Sequence, residues 1–433
     1  MQVREYSLLT TRPDALESID VGVISHETFS WLVSLFKSWG RKPNIIWDNG
    51  HEALSLGSLV GYLRSPTGDE IEILPKTKLG QENKQESRLI LHKMLQSAYS
   101  LKRYESSDAN LQHSSEPIHE WIFGQFLHAL EELVSHGLRF DYTEIQERTN
   151  NLRGRLNIAA QMRQRPGSDH LFHIKHELLT ANRLENRLLK TTLELVHQHC
   201  RLSQHWRTSN IFMHRLDSIP SEPNAVQELK RWSTARLMQH YASVKPWCEL
   251  ILKQLNPNFQ KGSQRGIALL FQMERLFESH VHVSIDRIKN DPWKLVSQSS
   301  TRHLITNHCG KPIFALKPDL ILQDENTRQV LDTKWKLLDE NDFKNNYQLK
   351  QADFYQLFAY GQTYQVGKGD MLLIYPSHEN FSTPLPVFNF SDNLRLWVVP
   401  FCLHKHQLIT GDWCDKFPAL DSQQSMIELN ATQ

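Results

Sequence analysis

A chain of 433 residues, 39% hydrophobic and 22% charged, has room for two or three cored regions and has the composition of an ordinary globular protein. Its formal net charge of +1 excludes a uniformly basic nucleic-acid binder, so any grip on phosphates must come from a local patch. The five cysteines (Cys200, Cys248, Cys309, Cys402 and Cys414) are odd in number and contain no C-x-x-C pair, which argues against a disulfide framework or a cysteine-based zinc site.

The opening segment, MQVREYSLLTTRPD, lacks the apolar core of a signal peptide, and no apolar run approaches the length of a membrane span. A cytoplasmic protein without membrane contact is expected. Residues 1 to about 80 read as β-rich. In SLVGYLRSPTGDEIEILPK, turn chemistry at Pro66, Thr67, Gly68 and Asp69 separates two strand-like runs, which predicts a hairpin. A helix is expected around Leu89 to Leu101, followed by the polar linker ESSDANLQHSSEP.

From about 117 to 255 helical spacing dominates. IHEWIFGQFLHALEELVSHGL sets Ile118, Ile122, Phe126 and Leu130 on one stripe, and HELLTANRLENRLLKTTLELVHQHC is a second long helical candidate. Residues 151–190 hold eight Lys/Arg against three Asp/Glu, including Arg153, Arg155, Arg163, Arg165, Arg183, Arg187 and Lys190. Such a run fits a solvated helix face, or contact with phosphates or an acidic partner.

From about 260 the pattern becomes mixed. GIALLFQMERLFESHVHVSI reads as a helix, two strands follow, and YQLKQADFYQLFAYGQTY reads as another helix. MLLIYP and RLWVVPFCL read as short strands. These patterns predict an α+β multidomain protein with a β-rich N-terminal region (1–115), a mainly helical middle (116–255) and a C-terminal α/β domain (256–433).

The chemistry concentrates in IFALKPDLILQDENTRQVLDTKWKLL. Two apolar runs flank Asp324 to Thr327, so an antiparallel hairpin with its tip near Glu325 and Asn326 is predicted. That register sets Asp319 opposite Asp332, with Cβ atoms about 4.5–5.5 Å apart. Lys334 then shares the face of Asp332, as does Lys336, while Trp335 points to the other face, into the core or toward a stacked base. Paired carboxylates repel, and a hard cation such as Mg²⁺ relieves the repulsion. Such an ion can polarise a phosphodiester, and a lysine beside it can orient or deprotonate water and stabilise developing charge. The blander alternative is an ion pair on a surface hairpin.

Pro318-Asp319 followed by Asp332-Thr333-Lys334 resembles the motif of the PD-(D/E)xK nuclease superfamily. That resemblance implies a further acid from the preceding helix, best matched by Glu278, with Glu274 as the fallback. Gln356 and Tyr360 have the Q-x-x-x-Y spacing that RecB-like members carry beside the active site, and i, i+4 spacing puts them on one helix face. The implied ligands for Mg²⁺, or Mn²⁺ in its place, are Glu278, Asp319, Asp332 and the Thr333 carbonyl.

Blocks in order, namely IEILPKT, NLRGRLNIAAQ with ELLTANRLENRLLKTTLELV, LLFQMERLFESHV, and KPDLIL with VLDTKWK and DFYQLFAYGQTY, resemble the McrC family of McrBC-type, modification-dependent restriction systems used in phage defence. The resemblance implies a subunit that cuts double-stranded DNA, docks onto an AAA+ GTPase through its N-terminal part and stimulates GTP hydrolysis. The chain carries no G-x-x-x-x-G-K-[ST] loop, so nucleotide energy must come from that partner. Two alternatives stay open: a non-catalytic adaptor that binds DNA and activates an NTPase, and a stand-alone structure-specific nuclease. The histidine clusters at His170, His173 and His176, at His280 and His282, and at His404 and His406 lack metal-motif spacing and read as surface or satisfied buried side chains.

Overall fold

The computed structural model describes the whole chain except residues 41, 49, 79–82, 102–115, 166, 169, 256–265, 299–301, 326 and 421–433. The expected polar linker, up to residue 115, therefore lies outside the described residues. Two compact units emerge: unit 1 joins Met1–Ser100 to Leu269–Gln433, and unit 2 is Leu101–Ala268. Sequence patterns set residues 1–115 apart from 256–433, whereas here the first hundred residues pack with the C-terminal part. Among the described residues no helix is long and apolar enough to cross a membrane.

Unit 1 begins with β1 (Gln2–Arg4), β2 (Leu8–Thr10) and β3 (Val21–Val23), then α1 (His26–Ser38). Ser25 caps α1 by accepting the Thr28 N–H, and the helix buries Phe29, Leu32 and Phe36. The β-rich expectation passed over this helix. Strands β4 (Asn44–Asp48), β5 (His51–Ser55), β6 (Leu59–Arg64) and β7 (Glu70–Leu74) precede α2 (Lys84–Ala98). β6 and β7 form the predicted hairpin, closed by the Ser65 N–H on the Asp69 carbonyl at 2.9 Å. Arg88 of α2 donates to Glu72 of β7 at 2.9 Å, both buried, which fixes the helix on its sheet.

After unit 2 the chain forms β8 (Ile267–Gln272) and α3 (Met273–Ile288). The segment GIALLFQ is thus a strand and not the start of a helix. A short, fully buried apolar run fits either element by periodicity, and here it joins a sheet of order β1-β7-β6-β8. Gly61 of β6 makes the close approach possible, since a Cβ there would collide with the Leu269 carbonyl.

The remaining elements are β9 (Lys294–Ser297), β10 (Arg302–His308), β11 (Lys311–Leu316), β12 (Leu320–Gln323), β13 (Arg328–Thr333), α4 (Gln351–Tyr364), β14 (Gly369–Pro376), β15 (Phe388–Ser391), β16 (Leu394–Cys402) and β17 (Gln407–Leu408). They build a mixed sheet of order β9-β12-β13-β14-β16-β15, with β17 on β16, and a separate β10-β11 hairpin. β13 lies inside the sheet, antiparallel to β12 and parallel to β14. Leu320 pairs with Leu331 and Ile321 with Val330, which is the predicted register.

Both faces of this sheet are covered, so its interior strands are almost continuously apolar. On one face Leu357, Tyr360 and Tyr364 of α4 share a core with Val330, Met371, Leu373 and Leu396. On the other, Phe277 of α3 packs against Trp335 and Phe401, with ring centroids 5.4 and 6.0 Å apart. Each such side chain contributes about 1.5–3 kcal/mol once buried, so the two-sided core, more than the hairpin turn, fixes β13.

Unit 2 is helical at its centre. The helix Ile118–His136 buries Trp121, Ile122, Phe126 and Leu130, and Trp121 meets Trp247 edge-on at 5.6 Å. A three-stranded sheet accompanies the helices, formed by Asp141–Thr149, Arg155–Leu156 and Phe172–Thr180. The segment HELLT is therefore strand, paired residue by residue with Asp141–Ile145, and the helix starts at Leu184. Much of the basic run is neutralised inside the unit: Arg153 pairs with Glu147 at 2.7 Å, Arg183 with Asp141 at 3.0 Å and Arg187 with Glu222 at 3.0 Å.

Candidate active site

The site grows from β13. Side chains alternate along the strand, so Asp332 and Lys334 share a face and Trp335 turns to the other. Asp332 is 1% exposed on an interior strand, which is not the setting of a surface-hairpin ion pair. Lys334 Nζ donates to Asp332 Oδ2, and the Lys334 N–H donates to the Ile374 carbonyl of β14 at 2.9 Å.

Asp319 occupies the bend just before β12. Its Oδ2 accepts two hydrogen bonds from Thr333, from the main-chain N–H and from Oγ1, each at 2.8 Å. The hairpin thus brings Asp319 across to the residue between Asp332 and Lys334. Burial, then the charge of Asp319, pushes Asp332 up to about 7 against the pull of Lys334. Burial alone lowers Lys334, but Asp332, with Asp319 and Asp353, leaves it above its ordinary value.

Glu278 arrives from α3, with its pKa raised first by burial and also by Asp319. Gln298 ties the two acids together: its side-chain amide donates to Glu278 Oε1 and its main-chain N–H to the Asp319 carbonyl, both at 2.9 Å. Glu274, one turn earlier, accepts from Ser58 Oγ at 2.8 Å.

α4 supplies the remaining predicted pair. Gln356 Nε2 donates to the Tyr360 hydroxyl at 2.6 Å, and that hydroxyl donates to the Lys317 carbonyl at 2.8 Å. Tyr364 donates to the Leu316 carbonyl at 3.0 Å. The helix therefore holds the main chain that enters Pro318-Asp319. The structure brings together Asp319, Asp332, Thr333, Lys334 and Glu278, and sets Tyr360 and Gln356 behind them as supports of the backbone.

A divalent cation fits this donor set. Asp332 Oδ1 is buried and has no hydrogen-bond partner among the described residues, an acceptor left over beside a second carboxylate. Among the described residues no three His, Cys, Asp or Glu side chains stand grouped to hold a metal ion, so the predicted trio of Glu278, Asp319 and Asp332 is not a ready ligand set. The histidines lie elsewhere. His280 is buried between Ser97 Oγ and His406, each at 2.9 Å, and burial pushes it down to about 3 and His406 to about 4.

A cavity of about 440 Å³ opens beside Lys334. It is lined by Lys336, Lys350 and Asp353 from the C-terminal segment, and by Tyr6 and Lys76 from the first hundred residues. Sequence reasoning missed Asp353, Gln298, Tyr6 and Lys76. Asp353 stands three residues before Gln356 on the same helix, a spacing that could have found it. Lys76 lies in the block IEILPKT. Nothing local marks Gln298 or Tyr6.

A family model described as McrBC 5-methylcytosine restriction system component matches residues 54–376. No curated protein matches the chain. Among solved structures, a chain from the refined half-complex of the tetradecameric assembly of Thermococcus gammatolerans McrB AAA+ hexamers with bound McrC shares the fold, at TM-score 0.69 and 18% identity, over 99% of both chains. A chain of the Thermococcus gammatolerans McrBC complex aligns over 70% of this chain and 89% of its own, at 17% identity and TM-score 0.48. With three quarters of its length inside the family model, this chain belongs to the family of McrBC 5-methylcytosine restriction system components.

Proposed function

We propose that this chain is the DNA-cutting subunit of a restriction system, a Mg²⁺-dependent endonuclease of the PD-(D/E)xK type, recruited and activated by an AAA+ GTPase whose hydrolysis it stimulates. The observation that carries the reading is the buried Asp332 Oδ1 beside Asp319 and Lys334, without a hydrogen-bond partner among the described residues. A carboxylate oxygen left so is costly unless something outside the chain binds it. Asp332 and Asp319 would hold Mg²⁺ or Mn²⁺, and Glu278 and the Thr333 carbonyl are the further candidates. The ion would supply Lewis-acid polarisation of a phosphodiester and a more acidic water.

The chain's own residues do the rest. Thr333 holds the Asp319 carboxylate by two bonds, and Gln298 keeps Glu278 next to it. Tyr360 fixes the Lys317 carbonyl, so the Pro318-Asp319 backbone cannot drift. Lys334, an ammonium against Asp332, donates to the attacking water and to the phosphate oxygens on which charge develops. Positioning of this kind supplies a large part of a hydrolytic rate enhancement.

The GTPase partner is supported by the solved assembly above, which pairs McrB AAA+ hexamers with McrC, and by the lack of a phosphate loop in this chain. Cutting both strands requires two active sites, so two copies are proposed to pair within the assembly. The test is plasmid cleavage with Mg²⁺ by wild type and Asp332→Ala, with and without the neighbouring-gene NTPase and its nucleotide. Loss of cleavage with retained stimulation of the NTPase is expected. Equal cleavage by both would remove Asp332 from the mechanism and leave the adaptor reading.

A further inference from the structure

We infer that the cavity beside Lys334 is a DNA-strand subsite to which the N-terminal segment contributes, with Lys76 and Lys350 holding phosphates next to the cleaved bond and Tyr6 stacking on a base. The inference rests on the nuclease reading of Asp319 and Asp332. It adds a substrate-binding role for a segment expected only to dock a partner.

Charge is the first support. The cavity is lined by four lysines, Lys76, Lys334, Lys336 and Lys350, against two carboxylates, Glu274 and Asp353, in a chain whose net charge is only +1. Lys334 and Lys336 are engaged, with Asp332 and with the Gln348 carbonyl. Among the described residues Lys76 and Lys350 have no ion-pair partner, so both ammonium groups stand ready for phosphate.

Tyr6 is the second. It sits between β1 and β2 with φ +62°, a left-handed conformation unusual for a bulky residue. Its neighbours Glu5 and Ser7 are buried, its N–H is bound by the Gly57 carbonyl at 2.6 Å, and yet its side chain is 54% exposed. The turn is thus over-determined from both sides and presents one aromatic ring on the wall of a basic cavity. Aromatic rings interleaved with lysines are the chemistry of a single strand with unstacked bases.

Rigidity is the third. Glu5 Oε1 accepts both the Trp335 indole N–H at 2.6 Å and the Lys76 N–H at 2.8 Å. One buried carboxylate therefore sets Tyr6 and Lys76 in fixed relation to the residue that follows Lys334.

The test is DNA binding by the full-length chain, alone and with its NTPase partner, using fluorescent oligonucleotides over a range of salt without divalent ions. Lys76→Ala and Lys350→Ala should each weaken binding several-fold and reduce the slope of log affinity against log salt by about 0.9. Tyr6→Gly should bind about tenfold more weakly and melt no lower than wild type, because glycine relieves the left-handed backbone. A merely structural Tyr6 would lose stability and binding together. DNA carrying 5-iodouracil should photocrosslink to Tyr6. Unchanged salt slopes in both lysine variants, or a wild type that binds no DNA in either state, overturn the subsite. Cleavage separates the two readings: unchanged slopes with loss of cleavage in Asp332→Ala sink only the subsite, whereas full cleavage by Asp332→Ala sinks the nuclease.

Discussion

Trp335 donates its indole N–H to Glu5 Oε1 across 2.6 Å, joining the residue after Lys334 to the turn that follows the first strand. Glu5 is 1% exposed, and the same oxygen receives the Lys76 N–H. Glu5→Ala would strand two buried donors and is expected to cost about 2–3 kcal/mol. Glu5→Gln keeps an acceptor of the same length and should cost less. Urea unfolding of both variants checks the ranking, and equal losses would show that the acceptor is unimportant.

Tyr360 and Gln356 share a sequence motif, but Tyr360 is buried and Gln356 exposed, and their variants should part accordingly. Tyr360→Phe removes, from a buried side chain, the hydroxyl that donates to the Lys317 carbonyl, so stability should fall by about 1–2 kcal/mol and cleavage roughly tenfold. Gln356 is exposed, and Gln356→Ala should lower cleavage less than threefold, within about 0.6 kcal/mol. Single-turnover cleavage beside a thermal melt separates the two effects. A larger loss in Gln356→Ala would mean that Gln356 contacts substrate directly.

Metal binding can be read without any cleavage. If Asp332 and Asp319 hold Mg²⁺, the ion binds the folded chain and not the unfolded one. A tenfold excess over the dissociation constant then adds about 1.4 kcal/mol of stability. The melting temperature of wild type should rise with Mg²⁺, and that of Asp332→Ala should not. A matching rise in both would place the ion elsewhere.

Unit 2 has a pH dependence of its own, set by Glu120. Burial alone would raise its carboxyl, but the His205 hydrogen bond at 2.7 Å and the Arg201 N–H hold it below its ordinary 4.5. A depressed carboxyl contributes stability that is complete above pH 4.5 and drains away as the pH falls through the folded value. Acid should therefore destabilise unit 2 below about pH 4.5, and Glu120→Gln should flatten that fall. Parallel acid profiles for variant and wild type would count against the assignment.

What the sequence made legible was local. The hairpin register needed only two apolar runs and a polar tip, and Leu320 does pair with Leu331. The spacing of Gln356 and Tyr360 needed only helical geometry. Misreadings arose where one pattern serves two structures. GIALLFQ and HELLT are apolar enough to be helix or strand, and only their partners across the sheet decide. The β10-β11 hairpin escaped notice because its largely exposed strands lack the alternation of a half-buried sheet. Tyr6, Lys76 and Gln298 reach the site through contacts no local window contains. Asp353 was within reach, one helical turn from Gln356.

Unit 1 is interrupted in sequence: its first hundred residues are followed by unit 2, at whose end β8 begins, before α3 is made. During synthesis, at about 5–20 residues per second, the early strands wait roughly 10–30 s for their partners. Asp319, Asp332 and Lys334 arrive later still, and the strand that carries them is enclosed only once β14 and β16 exist. A truncated or stalled chain therefore lacks part of the unit in which Asp319, Asp332 and Lys334 come together, because the first hundred residues and the C-terminal part form one compact body.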